Sequence, residues 1–209
     1  AGARNELERV AAELHGARAT AAPGLAAAVR DRLAELAMAD AQFDVRLSAR
    51  DDGIGPRGAD AVELEIAPNA GVPAGPLREI GSGGELSRVM LALLSVAHTA
   101  GGSAEDEQPL LVFDEIDAGI GGHTARAVGE HLRALADGRQ ILCITHLPQV
   151  AALGSHHFTI VKESGPGQAR TTVTALSGDG VVGELVRMLG ADDGDKAASR
   201  HAKELLRAA

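Results

Sequence analysis

Two segments in the first third of the chain alternate between apolar and polar residues. Residues 43–47 place Phe, Val and Leu on one side and Asp and Arg on the other, and residues 62–66 place Val, Leu and Ile against two Glu. Alternation with a period of two predicts half-buried β-strands. The Asp-, Gly- and Pro-rich residues 51–60 connect them, so we expect a hairpin with a long loop, followed by a Pro/Gly-rich loop at 68–76.

Six stretches carry apolar residues at the three- and four-residue spacing of an amphipathic helix. They are residues 4–16, 25–36, 86–97, 125–135, 182–189 and 198–205. Pro23 and Gly24 separate the first two stretches, which predicts a break in the helix there. These two helices fit the base of a coiled coil or an ordinary bundle, because too few heptads are present to decide.

The remaining segments complete the predicted order of elements. A polar, acidic stretch at residues 98–108 predicts a surface loop, and Pro148 begins a short helical turn. Two further strands are predicted at residues 157–162 and 170–176. The chain shows neither an internal repeat nor a low-complexity segment.

An unbroken apolar run, residues 109–113, ends in two adjacent carboxylates, Asp114 and Glu115. Such a run predicts a strand buried on both faces, as in a parallel sheet. A helix and a second apolar strand, residues 140–145, follow, and this order predicts a right-handed βαβ unit with parallel strands. Both strands then end at one edge of the sheet, where ligands of open α/β sheets bind, and His146 joins the two acids there.

Composition narrows the class of protein. The 209 residues are 45% hydrophobic but only 1% aromatic, so an aliphatic core is expected. A net charge of −9 excludes a broad nucleic-acid-binding surface, which needs clustered Lys and Arg, and leaves room only for local DNA contacts. The single Cys143 cannot form an internal disulfide. No apolar run is long enough to span a membrane and no signal peptide is visible, so we expect a soluble, cytoplasmic protein.

The segment Ser82-Gly83-Gly84-Glu85 precedes the third helical stretch. Ser at the N-cap and Glu three residues later predict a capping box. The capping box leaves the two glycines unexplained, because each costs up to ~1 kcal/mol in a helix relative to Ala. They are accounted for if a bulky anion approaches the backbone, since a helix N-terminus binds phosphate through its free N–H groups and positive dipole end. Both interpretations apply together.

The carboxylates and His146 predict a site for phosphate chemistry. Asp114 is suited to hold a hydrated Mg²⁺, and Glu115 to orient or deprotonate a water. His146 is suited to hydrogen-bond a phosphoryl oxygen. The alternatives are a strand that merely surfaces into a polar loop and a structural histidine. Zinc bound by His146, His156 and His157 is disfavoured by their spacing.

One expected motif is absent. The sequence contains no GxxxxGK[ST] phosphate loop, and none of its three lysines follows a glycine. The sequence therefore predicts an aspartate that holds Mg²⁺, a general base and a phosphate-binding helix, but no loop that binds the β-phosphate of the nucleotide.

These features resemble the heads of ABC-type ATPases. The matching parts are the ABC signature at Ser82-Gly83-Gly84-Glu85, Walker B at residues 110–114, the catalytic glutamate at Glu115, the D-loop at Asp117 and the switch histidine at His146. Longer stretches are very similar to the bacterial RecN family, the SMC-like ATPases of DNA double-strand-break repair. These are GSGGELSR at 81–88, FDEIDAGIGG at 113–122 and ITHLPQVA at 144–151.

The resemblance implies an α/β fold, half of an ABC-type P-loop NTPase head, with a parallel sheet, flanking helices, a small β-hairpin and the base of a coiled coil. Residues 1–38 would be the returning coiled-coil helix and residues 39–209 the carboxyl-terminal half of the head. The amino-terminal half would carry Walker A, so this chain alone is expected to be inactive. ATP and Mg²⁺ are the implied cofactors, with Asp114 as the metal residue, acting through water.

The family geometry also implies partners. ATP would be sandwiched between two heads, with Glu115 and His146 acting from one head and residues 82–85 from the other. The partners would be the amino-terminal half of the same head, a second RecN-like head and the ends of double-stranded DNA, in the cytoplasm at the nucleoid and without a membrane. Two alternatives are a non-catalytic DNA-end tethering or dimerisation module and the ATPase subunit of an ABC transporter.

Overall fold

In the computed structural model of the protein, residues 2–101, 110–164, 169–192 and 194–209 are described. The chain forms two compact units, Ala1–Glu107 and Gln108–Ala209. The polar loop predicted at 98–108 lies outside the described residues from residue 102 onward. Among the described helices, none is both long and apolar enough to cross a membrane.

The first unit combines helices with an antiparallel sheet. Its elements are α1 (Gly2–Glu35), β1 (Gln42–Ala49), β2 (Asp60–Ala67), β3 (Gly75–Pro76), a 3₁₀ turn (Leu77–Glu79) and α2 (Gly83–Thr99). β1 and β2 form the predicted hairpin, with Phe43 opposite Ile66. β3 adds a short third strand to β2, so the prediction of a loop throughout 68–76 is wrong at its end. Pro76 is tolerated there because an edge strand has no need of the missing N–H.

The predicted break in α1 is also wrong, because the helix runs through Pro23 without interruption. A proline inside a helix removes one hydrogen bond and costs about 3 kcal/mol. Ending the helix would leave further backbone groups without partners at two new termini. The helix also buries Ala26, Val29 and Leu33 beyond the proline, and this burial favours continuing the helix.

The core of the first unit comes from α1, β1 and α2. Its fully buried side chains include Leu33 and Leu36, Phe43 of β1, and Val89 and Leu91 of α2. α1 contacts both β1 and α2, so the same helix supports the hairpin and the helix that begins after Ser82.

The second unit has the predicted βαβ order. Its elements are β4 (Leu111–Phe113), α3 (Gly122–Leu135), β5 (Ile141–Cys143), α4 (Pro148–Ala151), β6 (His157–Ser164), β7 (Ala169–Leu176), α5 (Asp179–Met188) and α6 (Lys196–Arg207). β4 and β5 are parallel, with Phe113 opposite Cys143, and β6 and β7 form an antiparallel hairpin. The predicted inner residues of α3 are all buried, and α4, α5 and α6 pack around a second cluster that includes Leu185 and Ala202.

The expectation that β4 is buried on both faces is wrong for this chain. Phe113 is 5% exposed, but Val112 is 56% exposed, and Leu142 of β5 is 46% exposed. Successive side chains of a strand point to opposite faces. β4 pairs with β5 alone among the described strands, and one face of this narrow sheet lacks cover. An apolar run indicates that a strand favours burial, but it does not indicate which part of the protein packs against the strand.

Candidate functional site

The signature segment, Ser82–Glu85, opens α2 as the sequence predicts. Ser82 is the N-cap, and its Oγ accepts a hydrogen bond from the Glu85 N–H at 3.4 Å. The Glu85 carboxylate accepts a bond from the Asn69 side-chain amide at 3.4 Å. Ser82 and Gly83 are exposed, whereas Gly84 is buried. The first turn of a 17-residue helix therefore has an exposed, positively polarised end, which suits a phosphate group.

In the second unit, the residues that follow β4 and β5 form a group that we call the carboxyl edge: Asp114, Glu115, Asp117, Thr145 and His146. The two strands are joined at this end by the Ile144 N–H, which donates to the Phe113 carbonyl at 2.9 Å. Asp114 and Glu115 are both exposed. The predicted placement of acids and histidine at one edge follows directly from the parallel pairing.

The backbone at Glu115 adopts a left-handed conformation, with φ of 57°. Its carbonyl accepts a bond from the Ala118 N–H at 3.0 Å, and its N–H donates to Asp114 Oδ1 at 2.9 Å. Left-handed backbone costs a side-chain-bearing residue about 1–2 kcal/mol. Such strained residues cluster at functional sites.

Asp117 lies at the centre of the carboxyl edge and is only 2% exposed. Its Oδ2 accepts bonds from Thr145 Oγ1 at 2.5 Å and from the His146 N–H at 2.9 Å. The His146 ring also reaches this oxygen, with Nδ1 at 3.0 Å. The structure therefore brings Asp117 and His146 into direct contact, although the sequence only predicted a shared edge.

The carboxyl edge meets the simplest requirement for a magnesium site. Mg²⁺ keeps most of its waters and commonly uses one or two protein carboxylates together with substrate phosphates. Asp114 is exposed at the strand end and provides such a carboxylate. A zinc cage finds no such support, because among the described residues no three His, Cys, Asp or Glu side chains are grouped to hold a metal ion. His157 Nε2 lies 2.9 Å from the Ala151 carbonyl, and His156 Nδ1 lies 3.1 Å from Ser155 Oγ.

The negative charge of the carboxyl edge contributes to the pKa of Cys143, the last residue of β5. Burial, and to a lesser extent the nearby negative charges of Asp117 and Asp114, raise the pKa of the Cys143 thiol to about 12. A field that disfavours a thiolate attracts cations. The edge is therefore electrostatically suited to a metal ion.

Thr145 is the residue of the site that sequence reasoning did not select. Its hydroxyl contacts Asp117, which is 28 positions away in the sequence. The only sequence signal was its place between an apolar strand and His146. Hydroxyl residues are common at strand ends, so that signal is weak.

Known proteins resemble this chain in sequence over nearly its full length. No protein-family model matches the chain. The DNA repair protein RecN of Treponema pallidum is 45% identical over 97% of this chain, and that of Streptomyces coelicolor is 42% identical over 99% of it. The chain spans 37% of the length of each of these relatives.

A solved structure supports the fold. The Smc head domain with a coiled coil and joint from Pyrococcus yayanosii matches 79% of this chain and 28% of its own length, with a TM-score of 0.52 and 19% sequence identity. The predicted α/β head fold is therefore confirmed. The predicted resemblance to the RecN family is therefore confirmed, because the sequence matches part of curated RecN proteins over nearly all of its 209 residues.

Proposed function

We propose that this chain is the carboxyl-terminal half of an SMC-like ATPase head that acts in DNA double-strand-break repair and recombination. The support is its similarity to proteins named DNA repair protein RecN and a fold shared with an Smc head. The observation that carries the proposal is the carboxyl edge, where two exposed carboxylates follow one strand and a histidine follows its parallel partner.

The residues of the edge have separate roles in this proposal. Asp114 holds Mg²⁺ through water, and Glu115 takes a proton from the attacking water as the general base. His146, with a side chain 71% exposed, hydrogen-bonds the phosphoryl group that is transferred. Bound Mg²⁺ supplies positive charge that offsets the negative charge of the phosphates.

The proposed partners follow from what the chain contains. Its 209 residues lack a GxxxxGK[ST] loop, so the amino-terminal half of the head supplies Walker A and the chain alone is inactive. The exposed signature segment binds ATP held by a second head, which makes ATP the link between two copies. Residues 1–38 form the base of the coiled coil and residues 39–209 the head half. DNA ends are the proposed substrate, with contacts confined to local surfaces because the net charge is −9.

The test is ATP turnover after co-expression of this chain with an amino-terminal half that carries Walker A. We expect Mg²⁺-dependent turnover, and Glu115→Gln should lower kcat by about 100-fold or more, since general-base catalysis contributes on that scale. Glu130→Gln is the matched control, because Glu130 lies on α3, pairs with Arg126 and is outside the carboxyl edge.

The outcomes separate the alternatives. Equal turnover by the wild type and Glu115→Gln would remove Glu115 from the catalytic role. A reconstituted head that binds DNA ends but never hydrolyses ATP would favour the tethering module. Co-purification with a membrane permease would favour the transporter subunit.

A further inference from the structure

Helix α6 carries an excess of positive charge. Its twelve residues contain four Lys or Arg and one Glu, a net charge of +3, whereas the whole chain has a net charge of −9. Two of the three lysines of the chain lie in this helix. The four cationic residues, which we call the basic row, are Lys196, Arg200, Lys203 and Arg207. The basic row is therefore a local positive surface on an acidic protein.

The spacing of the basic row places it on one face of α6. Its members follow one another at intervals of four, three and four positions. At about 100° per residue, the four positions fall within a sector of about 60° around the helix. At about 1.5 Å per residue, neighbouring members are separated by about 4.5–6 Å along the axis, and the whole row extends over about 16 Å.

The opposite face of α6 is buried and fixes the orientation of the helix. Ala202 is fully buried in the cluster around which α4, α5 and α6 pack. Ala198, Leu205 and Leu206 pack against the same cluster. All four members of the basic row are exposed. Because α6 is held by its apolar side, the basic row is a straight line of exposed charges on a fixed support.

Nearby acids do not neutralise the basic row. Among the residues that the structure describes, no member of the row forms an ion pair. Glu204 is the only acid of α6, and its Oε2 lies 3.9 Å from His201 Nδ1. The Asp195 carboxylate is the N-cap and accepts bonds from the Ala197 and Ala198 N–H groups at 2.8 and 3.0 Å. The charges of the row are therefore free for a partner.

The partner that matches such a row carries negative charges at regular intervals. Each strand of a DNA duplex has one phosphate about every 3.4 Å of the helix axis, so each cation of the row can reach a different phosphate. Proteins that hold single strands add aromatic side chains on which the bases stack, and α6 contains none. The basic row thus fits the backbone of a duplex better than a single strand.

We propose that the basic row binds the sugar–phosphate backbone of double-stranded DNA. Each of the four side chains neutralises one phosphate, and none reads a base, so the contact is independent of DNA sequence. The identification of the polyanion as DNA rests on the proposed function in DNA repair. The site is separate from the carboxyl edge, because the two share no residue.

The test is the salt dependence of duplex binding by the 209-residue chain without nucleotide, measured by fluorescence anisotropy with a short labelled duplex. In a plot of log affinity against log salt concentration, each phosphate contact contributes a slope of about −0.9. Arg200→Gln combined with Lys203→Gln removes two contacts. We expect the slope to become shallower by about 1.8 and the affinity to fall equally for two unrelated sequences.

The matched control is Arg78→Gln combined with Arg187→Gln. It removes the same charge from two side chains that are 71% and 69% exposed, but these arginines already pair with Glu63 and Glu184. The control should therefore leave the slope within about 0.5 of the wild-type value.

Two further measurements separate the loss of a contact from damage to the helix. Gln has a helix propensity close to those of Lys and Arg, so the test variant should keep the Tm of the wild type. Arg200→Lys combined with Lys203→Arg keeps both positive charges and should keep the wild-type slope, because phosphate contacts depend mainly on charge.

The possible results support or overturn the proposal. A wild-type chain that does not bind the duplex, or equal slopes in the test and control variants, would overturn it. Stronger binding to poly-glutamate than to the duplex, lost in the test variant, would also overturn it and would favour an acidic protein partner. A shallower slope in the test variant, together with no ATP turnover in the reconstituted head, would support the DNA site and contradict the ATPase assignment. Normal turnover with an unchanged slope would do the reverse.

Discussion

Asp60 in the first unit and Asp117 in the second are both buried carboxylates, with exposures of 8% and 2%, yet their partners differ in kind. Asp60 contacts two basic side chains of α1: His15 Nδ1 lies 2.7 Å from Oδ1, and Arg18 donates to Oδ2 at 3.1 Å. Asp117 accepts hydrogen bonds from a hydroxyl and a main-chain N–H, and the Nδ1 atom of one imidazole lies 3.0 Å from it.

The two carboxylates differ in the parts of the structure that they hold together. Asp60 is at the start of β2, and both partners lie more than 40 positions earlier on α1. Its bonds tie two elements of the first unit together. Asp117 accepts hydrogen bonds from Thr145 and from the His146 main chain, which follow β5, and the His146 side chain is 71% exposed. The histidine partner is exposed in both cases, His15 by 56% and His146 by 71%, so what separates Asp117 is its place at the strand ends beside the exposed Asp114 and Glu115.

The largest expected effect concerns Cys143, which reports the charge of Asp117. With a pKa of about 12, the thiol is almost entirely protonated at neutral pH. Because the thiolate is the nucleophile, alkylation by iodoacetamide at pH 8 should be about 100-fold slower than for a free cysteine, or slower still. Asp117→Ala should speed the reaction and Asp60→Ala should not, as measured by mass spectrometry. Equal rates in all three proteins would show that the charge of Asp117 does not affect the reactivity of Cys143.

The second-largest expected effect is a loss of thermal stability when Asp60 is replaced. Hydrogen bonds from His15 and Arg18 hold the pKa of Asp60 below its usual range, against the opposing effect of burial. A depressed folded-state pKa contributes stability above about pH 4, where the unfolded carboxyl is ionised, and that stability is lost as the pH falls through the folded pKa. Asp60→Asn should therefore lower Tm by roughly 3–8 °C at pH 7 and by much less at pH 3.

Turnover is the control for this prediction. In the reconstituted head, Asp60→Asn should leave kcat within about twofold of the wild type, because an anchor in the first unit contributes no group to the carboxyl edge. A larger loss would show that Asp60 does more than join α1 to the hairpin.

The smallest effect tests how closely the hairpin loop approaches α1. Gly58 has φ of 93°, and a Cβ there would lie 2.8 Å from Leu14 Cδ2 and 3.2 Å from Arg18 Nη1. Gly58→Ala should cost about 1 kcal/mol for the left-handed backbone, and more because it displaces the arginine that binds Asp60. Gly53→Ala is the matched control, since φ is 80° there and nothing lies within 4 Å. Chemical denaturation giving equal losses would argue against the close approach.

The sequence predicted the elements whose side chains alternate or repeat regularly. The parallel pairing of β4 with β5 followed from strand–helix–strand order, and that pairing placed His146 at the same edge as Glu115. The inner face of α3 followed from its 3.6-residue period. Local patterns carry this information because backbone geometry fixes the spacing of buried positions.

The features that the sequence did not predict depend on contacts between distant residues, or on a strand face against which no described element packs. Pro23 stays within α1 because burial beyond it outweighs one lost hydrogen bond, and Val112 is exposed because no described strand or helix covers it. The Thr145–Asp117 bond joins residues 28 apart, and no spacing rule predicts it. The left-handed turn at Glu115 is likewise absent from any pattern of apolar and polar residues.

The backbone at Glu115 has a consequence for how this site changes under mutation. Asn and Gly adopt φ of 57° more readily than Glu does, so replacing the proposed base relieves strain. Selection for stability alone would therefore favour replacing the glutamate at this position. A laboratory screen for thermal tolerance alone should therefore collect well-folded chains in which another residue replaces Glu115.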